Sequence, residues 1–203
     1  ALITSDISRR YFSGFTSSAG MILVTKEVSY LLIDFRYFDK ARARVTDCEV
    51  VLLENAKSQL MSLLIKHGIT TVSIESSAMT VTELDRYKAN YSFIKFDSSR
   101  ELSDMIEKMR VIKTPEEIEK IVKAQRIAEK AFSRLLRDIK PGQTEKHVAA
   151  LLEYYMAEYG SDGKSFDTIA ASGVNSASPH AVPTDKKLEN GDFLTLDFGA
   201  TYD

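Results

Sequence analysis

Two residues near the C-terminal end of the chain have types and surroundings suited to chemistry. In "FLTLDFGA", Asp197 interrupts an apolar run that reads as a strand. Period-two alternation puts Leu194, Leu196 and Phe198 on one face and Phe193, Thr195, Asp197 and Gly199 on the other. Aspartate is disfavoured in strands and is seldom buried without a partner. Asp197 therefore lines a polar cavity, pairs with a cation, or marks a strand end facing water; a carboxylate is also a hard oxygen donor suited to a divalent metal. Upstream, "SASPHAVPTDKKLENGD" places His180 between Pro179 and Pro183. Proline restricts the backbone, so the imidazole is held at a definite orientation. Near a carboxylate, such a histidine suits hydrogen bonding to a reacting group or proton transfer around neutral pH. The other two histidines read as structural. His67 ends a helix, where a cation is mildly favoured, and His147 lies in the first turn of another helix, on its surface. Cys48, the one cysteine, reads as a small strand residue whose acidic neighbours Asp47 and Glu49 disfavour the thiolate.

These residues need a scaffold, and the pattern supplies one in two textures. The first half alternates short apolar strands with amphipathic helices. "ALIT", "GMILVT", "SYLLID", "EVVLL", "TTVSIE" and "YSFIKF" read as strands, with a hairpin across Lys26 to Val28. Helices are predicted near Tyr37 to Val45, over "AKSQLMSLLIKHG" up to Gly68, from a capping box at Thr80 and Glu83, and from Ser99 to about Met109. In the second half, Thr114 is an N-cap, Pro115 a first-turn proline and Glu117 the capping-box acid of a long helix. Ile118, Ile121, Val122, Gln125, Ala128, Phe132, Leu135 and Leu136 are expected on its apolar face, and Pro141-Gly142 ends it. A second helix opens at Thr144, buries Val148, Leu151, Leu152 and Tyr155, and stops at Gly160. Phe166 to Ala200 reads as strands joined by loops. The fold class is an α/β N-terminal domain, with a mixed sheet flanked by helices, followed by the first part of an α+β domain. The joint falls near Val111 to Lys113, giving domains 1–110 and 111–203.

Composition narrows the function. The 203 residues carry 27 basic and 29 acidic side chains, a net charge of −2, with no concentrated basic run, so a nucleic-acid surface is not expected. At 44% hydrophobic and 28% charged residues the chain is ordinary for a globular protein, and no apolar stretch approaches a membrane span. A single cysteine excludes an internal disulfide and fits a cytoplasmic location. The start, "ALITSDISRR", lacks the pattern of a signal peptide.

Several stretches together resemble a known family. "FDTIAASGVNSASPHAVPTDKKLENGDFLTLDFGATYD" resembles the first characteristic stretch of the pita-bread metallopeptidases, in the aminopeptidase P and prolidase branch. "RRYFSGFTSSAGMILVT" and "LLIDFRYFDKARA" resemble the creatinase/prolidase N-terminal domain, "MRVIKTPEEIEKI" the segment joining the two, and "KPGQTEKHVAALLEYYMAEYGSDGKSFDTIAASG" the first helices and strand of the catalytic fold. The resemblance implies an enzyme that hydrolyses the Xaa-Pro bond at the N-terminus of peptides, with Xaa-Pro dipeptidase as the alternative. It makes Asp197 the first metal ligand, pointing into a metal cavity, and His180 the catalytic, substrate-binding histidine. It implies two divalent metal ions, manganese first, with cobalt or zinc possible. It further implies a peptide substrate with proline in second position and a homodimer. "IDFRYFDK", Ile33 to Lys40, is a candidate contact with a neighbouring subunit, against which stands a local Asp34–Arg36 ion pair.

The family's pattern also requires a second Asp, a His and two Glu residues beyond Asp197, and these have no match before Asp203. The chain is therefore expected to be a shortened form, inactive alone, with apolar helix faces that a second copy could hide. Two other readings follow from the same resemblance: a pita-bread binding protein without catalysis, as in a histone-chaperone subunit, and a metal-free hydrolase of the creatinase type.

Overall fold

Runs such as "MILV" and "YLLI" are apolar at every position, which suits strands covered on both faces. The computed structural model describes residues 1–203 and separates into two units, Ala1–Ile112 and Lys113–Asp203. In the first unit, β1 (Leu2–Ile3) is followed by α1 (Asp6–Ser13), then by the strands β2 (Met21–Val24) and β3 (Ser29–Ile33). Next come α2 (Phe38–Arg44) and β4 (Glu49–Leu52). These strands form a mixed sheet in the order β1-β2-β3-β4, with β3 and β4 parallel and the other pairs antiparallel. The β2–β3 connection is the predicted hairpin, closed by the Thr25 hydroxyl, which accepts from the amides of Glu27 and Val28. Then follow α3 (Ala56–Lys66), β5 (Thr71–Ser73), α4 (Val81–Asn90), β6 (Lys95–Asp97) and α5 (Glu101–Val111). β5 and β6 pair in parallel, and a parallel bridge from Leu2 to Ile74 links them to β1.

Alternation divides the core of this unit between the two faces of the sheet. Leu2, Leu23, Tyr30 and Leu32 pack with Leu60 and Leu64 of α3, while Ile3, Ile22, Leu31 and Ile33 pack with Ala41 of α2 and Ile106 of α5. The predicted capping box at Thr80 and Glu83 forms. The strand expected over "YSFIKF" shrinks to Lys95–Asp97, because Tyr91 caps α4 and its carbonyl accepts from the Ile94 amide in a turn. Buried Arg9 escaped the sequence reading. It donates to the carbonyls of Thr4, Ser17 and Gly20, fastening the loop after α1, and pairs with Asp6. Cys48 lies in the bend before β4 rather than in a strand, half-buried, and burial together with Asp47 pushes its thiol up.

The second unit opens with α6 (Pro115–Asp138), whose first turn carries the predicted capping box of Thr114 and Glu117 with Pro115. Then come α7 (Glu145–Glu158), β7 (Gly163–Lys164), β8 (Ile169–Ser172), a 3-10 turn at Gly173–Ala177, β9 (Leu194–Asp197) and β10 (Ala200–Thr201). β8 pairs antiparallel with β9, and β7 with β10. The apolar face assigned to α6 needs correction. The helix buries Ile127, Ala128, Ala131 and Leu135 against Val148, Leu152 and Met156 of α7, while Ile118, Ile121, Val122 and Leu136 remain exposed. At 100° per residue the helix carries two adjacent apolar stripes, and α7 takes the one centred on Ala131. Phe132 lies between them and stacks on Phe198 at 6.0 Å.

Candidate functional site

The functional region of the second unit is built where α7 begins. Thr144 caps that helix by accepting from the His147 amide, and the next residue, Glu145, is buried to 0% exposure. One Glu145 oxygen, Oε1, accepts from the Ser172 amide at 2.6 Å, the Ser172 hydroxyl at 3.1 Å and Asn175 Nδ2 at 3.1 Å. The other, Oε2, accepts from the Thr184 hydroxyl at 2.6 Å, the Thr184 amide at 2.9 Å and Asn175 Nδ2 at 3.2 Å. Burial pushes this carboxyl up, but the donors from Thr184, Ser172 and Asn175 outweigh it and hold the pKa at about 2. The group is therefore a carboxylate, stabilised as an anion by oriented dipoles. Lys186 Nζ sits beside the cluster, donating to the Ser172 hydroxyl at 3.1 Å and pairing with Asp192 at 2.8 Å. The Asp192 hydrogen bond raises the Lys186 pKa, and Lys186 in turn lowers that of Asp192. No motif pointed to Glu145, Asn175, Thr184 or the Lys186–Asp192 pair. The available signal was a glutamate directly after an N-cap, which ordinarily reads as a solvated first-turn acid.

His180 lies in the segment bounded by these anchors. The Ala181 amide donates to the Ser178 carbonyl, so Ser178-Pro179-His180-Ala181 is a β-turn with proline at its second position and histidine at its third. Proline there fixes the backbone of the turn's first corner. The imidazole itself is exposed. Asp197 is the last residue of β9, opposite Ile169 of β8, and is exposed. The expected alternation holds, since Leu194, Leu196 and Phe198 pack toward the helices. Thr195, two residues from Asp197 and on the same face, donates to the Ser176 carbonyl at 3.4 Å. The segment leading to His180 thus crosses the face of the ribbon that Asp197 occupies.

Nowhere in the chain do three or more His, Cys, Asp or Glu side chains gather in a group that could hold a metal. Asp197 is one hard oxygen donor, and a pair of divalent ions needs several. The residues of this chain alone do not complete a two-metal centre; Asp197 could hold one ion only in part. His67 and the Asp34–Arg36 pair serve the first unit locally. His67 hydrogen-bonds the Tyr30 hydroxyl at 2.9 Å, and Arg36 grips Asp34 at 2.6 Å through its guanidinium while its own amide donates to the same carboxylate. His147 is exposed, in the first turn of α7.

Residues 1–112 match the creatinase/prolidase N-terminal domain. The chain belongs to this family. Residues 119–203 match metallopeptidase family M24, so the second unit is a partial pita-bread domain of that family. An uncharacterised peptidase of Bacillus subtilis is 38% identical over 99% of this chain and 56% of its own length. The Xaa-Pro dipeptidase of Pyrococcus horikoshii is 36% identical over 99% of this chain and 55% of its own length. Among solved structures, X-Pro aminopeptidase from Thermotoga maritima superposes with a TM-score of 0.91 at 36% identity, covering 99% of this chain and 58% of that one. The prolidase from Pyrococcus furiosus gives 0.88 at 33% identity, with 99% and 61% covered. This creatinase/prolidase chain therefore spans about half the length of the curated relatives it matches.

Proposed function

We propose that this chain supplies the N-terminal domain and the opening of the catalytic domain of a metallopeptidase that hydrolyses Xaa-Pro bonds. The observation that carries the reading is the ordered match of both units to relatives that act on such bonds, over 99% of the chain. In this reading Asp197 contributes one ligand to a pair of divalent ions, with manganese favoured over cobalt or zinc, and residues outside this chain contribute the rest. Bound metal would supply a water of lowered pKa for attack on the scissile carbonyl. His180, held at the corner of its turn, is the group that hydrogen-bonds the reacting peptide. The substrate class is a peptide with proline in second position, the working form a homodimer, and the location cytoplasmic. No helix of the chain is long and apolar enough to cross a membrane. Relatives named as aminopeptidase and as dipeptidase match equally well, so the length of peptide accepted is decided by comparing Xaa-Pro tripeptides with Xaa-Pro dipeptides.

The test begins with the intact mass of the protein from its source cell, against 22.8 kDa for this chain. A larger protein is expected, cleaving Xaa-Pro peptides when manganese is added. A longer protein that leaves those bonds intact with manganese, cobalt and zinc would sink the proposal. The 203-residue chain is expected to hydrolyse nothing and to bind no stoichiometric manganese, and tight binding would contradict the assignment of a single ligand.

A further inference from the structure

A carboxylate with no access to water, six hydrogen-bond contacts and no direct salt bridge is an unusual object, and the placement of its donors gives it a task. Ser172 is the last residue of β8, Asn175 lies in the 3-10 turn, and Thr184 comes after the turn that carries His180. Oε1 takes the donors from Ser172, Oε2 takes those from Thr184, and Asn175 Nδ2 reaches both oxygens. A single side chain on α7 therefore ties down the segment before His180 and the segment after it.

We propose that Glu145 is a positioning residue, whose carboxylate clasps both ends of the 173–183 segment and thereby fixes where His180 is presented. The consequence for catalysis rests on the reading of His180 as the substrate-facing group. Between the anchors, further bonds run from Ser178 to Asn175, Ala181 to Ser178 and Ser176 to Gly173, and the segment is also tied to β9 by the Gly173 amide on the Phe193 carbonyl at 2.9 Å and by the long Thr195–Ser176 bond. At the far anchor the Thr184 carbonyl accepts from the Lys146 amide of α7 at 3.2 Å. Pro179 shapes the corner but does not attach it to the rest of the unit. The carboxylate is the one side chain that joins the two ends to each other as well as to α7, and only an acceptor on both oxygens can do so. Glutamine at 145 would offer one oxygen and one NH2 group, and the NH2 would face donors from Ser172 or Thr184. Lys186 reinforces the arrangement from outside by holding Ser172 and Asp192 together.

His147 provides an internal control, because it stands two residues from Glu145 on the same helix but outside the segment. In the 203-residue chain, amide hydrogen exchange and imidazole NMR signals of His180 and His147 are compared between wild type, Glu145→Gln and Glu145→Asp. Glu145→Gln is expected to speed exchange of residues 176–182 by about tenfold and to sharpen the His180 ring signal. The His147 signal and the protected amides of α6 and α7 should stay as in wild type, and Glu145→Asp, which keeps both acceptor oxygens, should recover part of the protection. Unchanged exchange in the segment would overturn the proposal. So would equal changes at His147 and in the helix amides, which would make Glu145 a support of the helix alone. Should Glu145→Gln fail to fold, Thr184→Val, which removes one hydroxyl donor at the far anchor, must loosen the same residues a few-fold, and its silence counts against the proposal equally. Hydrolysis does not enter this readout. A tight segment in the variants alongside cleavage by the longer protein would remove only the role of Glu145, while a loosened segment without cleavage would remove only the peptidase reading.

Discussion

Burying a carboxylate costs several kcal/mol unless its oxygens are satisfied, and at Glu145 the donors are dense enough to reverse the usual direction of the shift. The consequence is a pH dependence of known sign. The folded pKa of about 2 lies below the ordinary 4.5, so the unfolded chain binds this proton more readily than the folded one. The stabilisation is complete above pH 4.5 and is lost as the pH falls toward 2. Asp192 and Asp138, also lowered by their cationic and hydroxyl partners, slope the same way, and Lys186 stays charged throughout. Denaturant melts of wild type and Glu145→Gln isolate the contribution of Glu145. The gap in stability between them should narrow steadily from pH 4.5 downward, and a constant gap would mean that the carboxylate is not held ionised by its neighbours. His180 and Asp197 differ from Glu145 in this respect, since both are exposed.

At the scale of elements, what joins β8 to the His180 segment depends on one backbone conformation. Gly173 has φ of +55°, and a Cβ added there would lie 2.7 Å from Asp192 Oδ1. Gly173→Ala therefore combines left-handed backbone strain of about 1 kcal/mol with displacement of Asp192 from Lys186. The variant should melt at lower temperature than wild type, and an unchanged melting temperature would mean that neither the strain nor the displacement of Asp192 costs stability. Such features explain what could be read in advance. Helix starts were legible because Thr80 with Glu83 and Thr114 with Glu117 and Pro115 are local signals, written within one turn. The face of Asp197 was legible because β9 alternates cleanly. The clasp was not, because Glu145 meets Ser172 and Thr184 across separations of 27 and 39 residues, and nothing in "QTEKH" announces either. The buried stripe of α6 was misread for a related reason. Ile121 and Ala131 are both apolar, and only the position of α7 decides which of their stripes is covered.

For the whole molecule, the uncovered stripe is the larger fact. Ile118, Ile121, Val122 and Leu136 are 50%, 54%, 49% and 58% exposed along one side of α6. Contiguous apolar surface of this kind drives association when nothing covers it. The curated relatives are nearly twice as long as this chain. In the 203-residue chain the stripe is free to meet another copy. Sedimentation velocity should therefore show association that grows with concentration, and Ile121→Glu with Leu136→Glu should shift the protein toward monomer. Because both side chains already face solvent, the double variant should leave stability within about 1 kcal/mol of wild type. That combination separates surface from core: loss of association with the fold intact assigns the contact to α6. A monomer at every concentration, or a variant that associates as wild type does, would move the contact elsewhere. A variant that unfolds would show that the stripe is already covered within the chain.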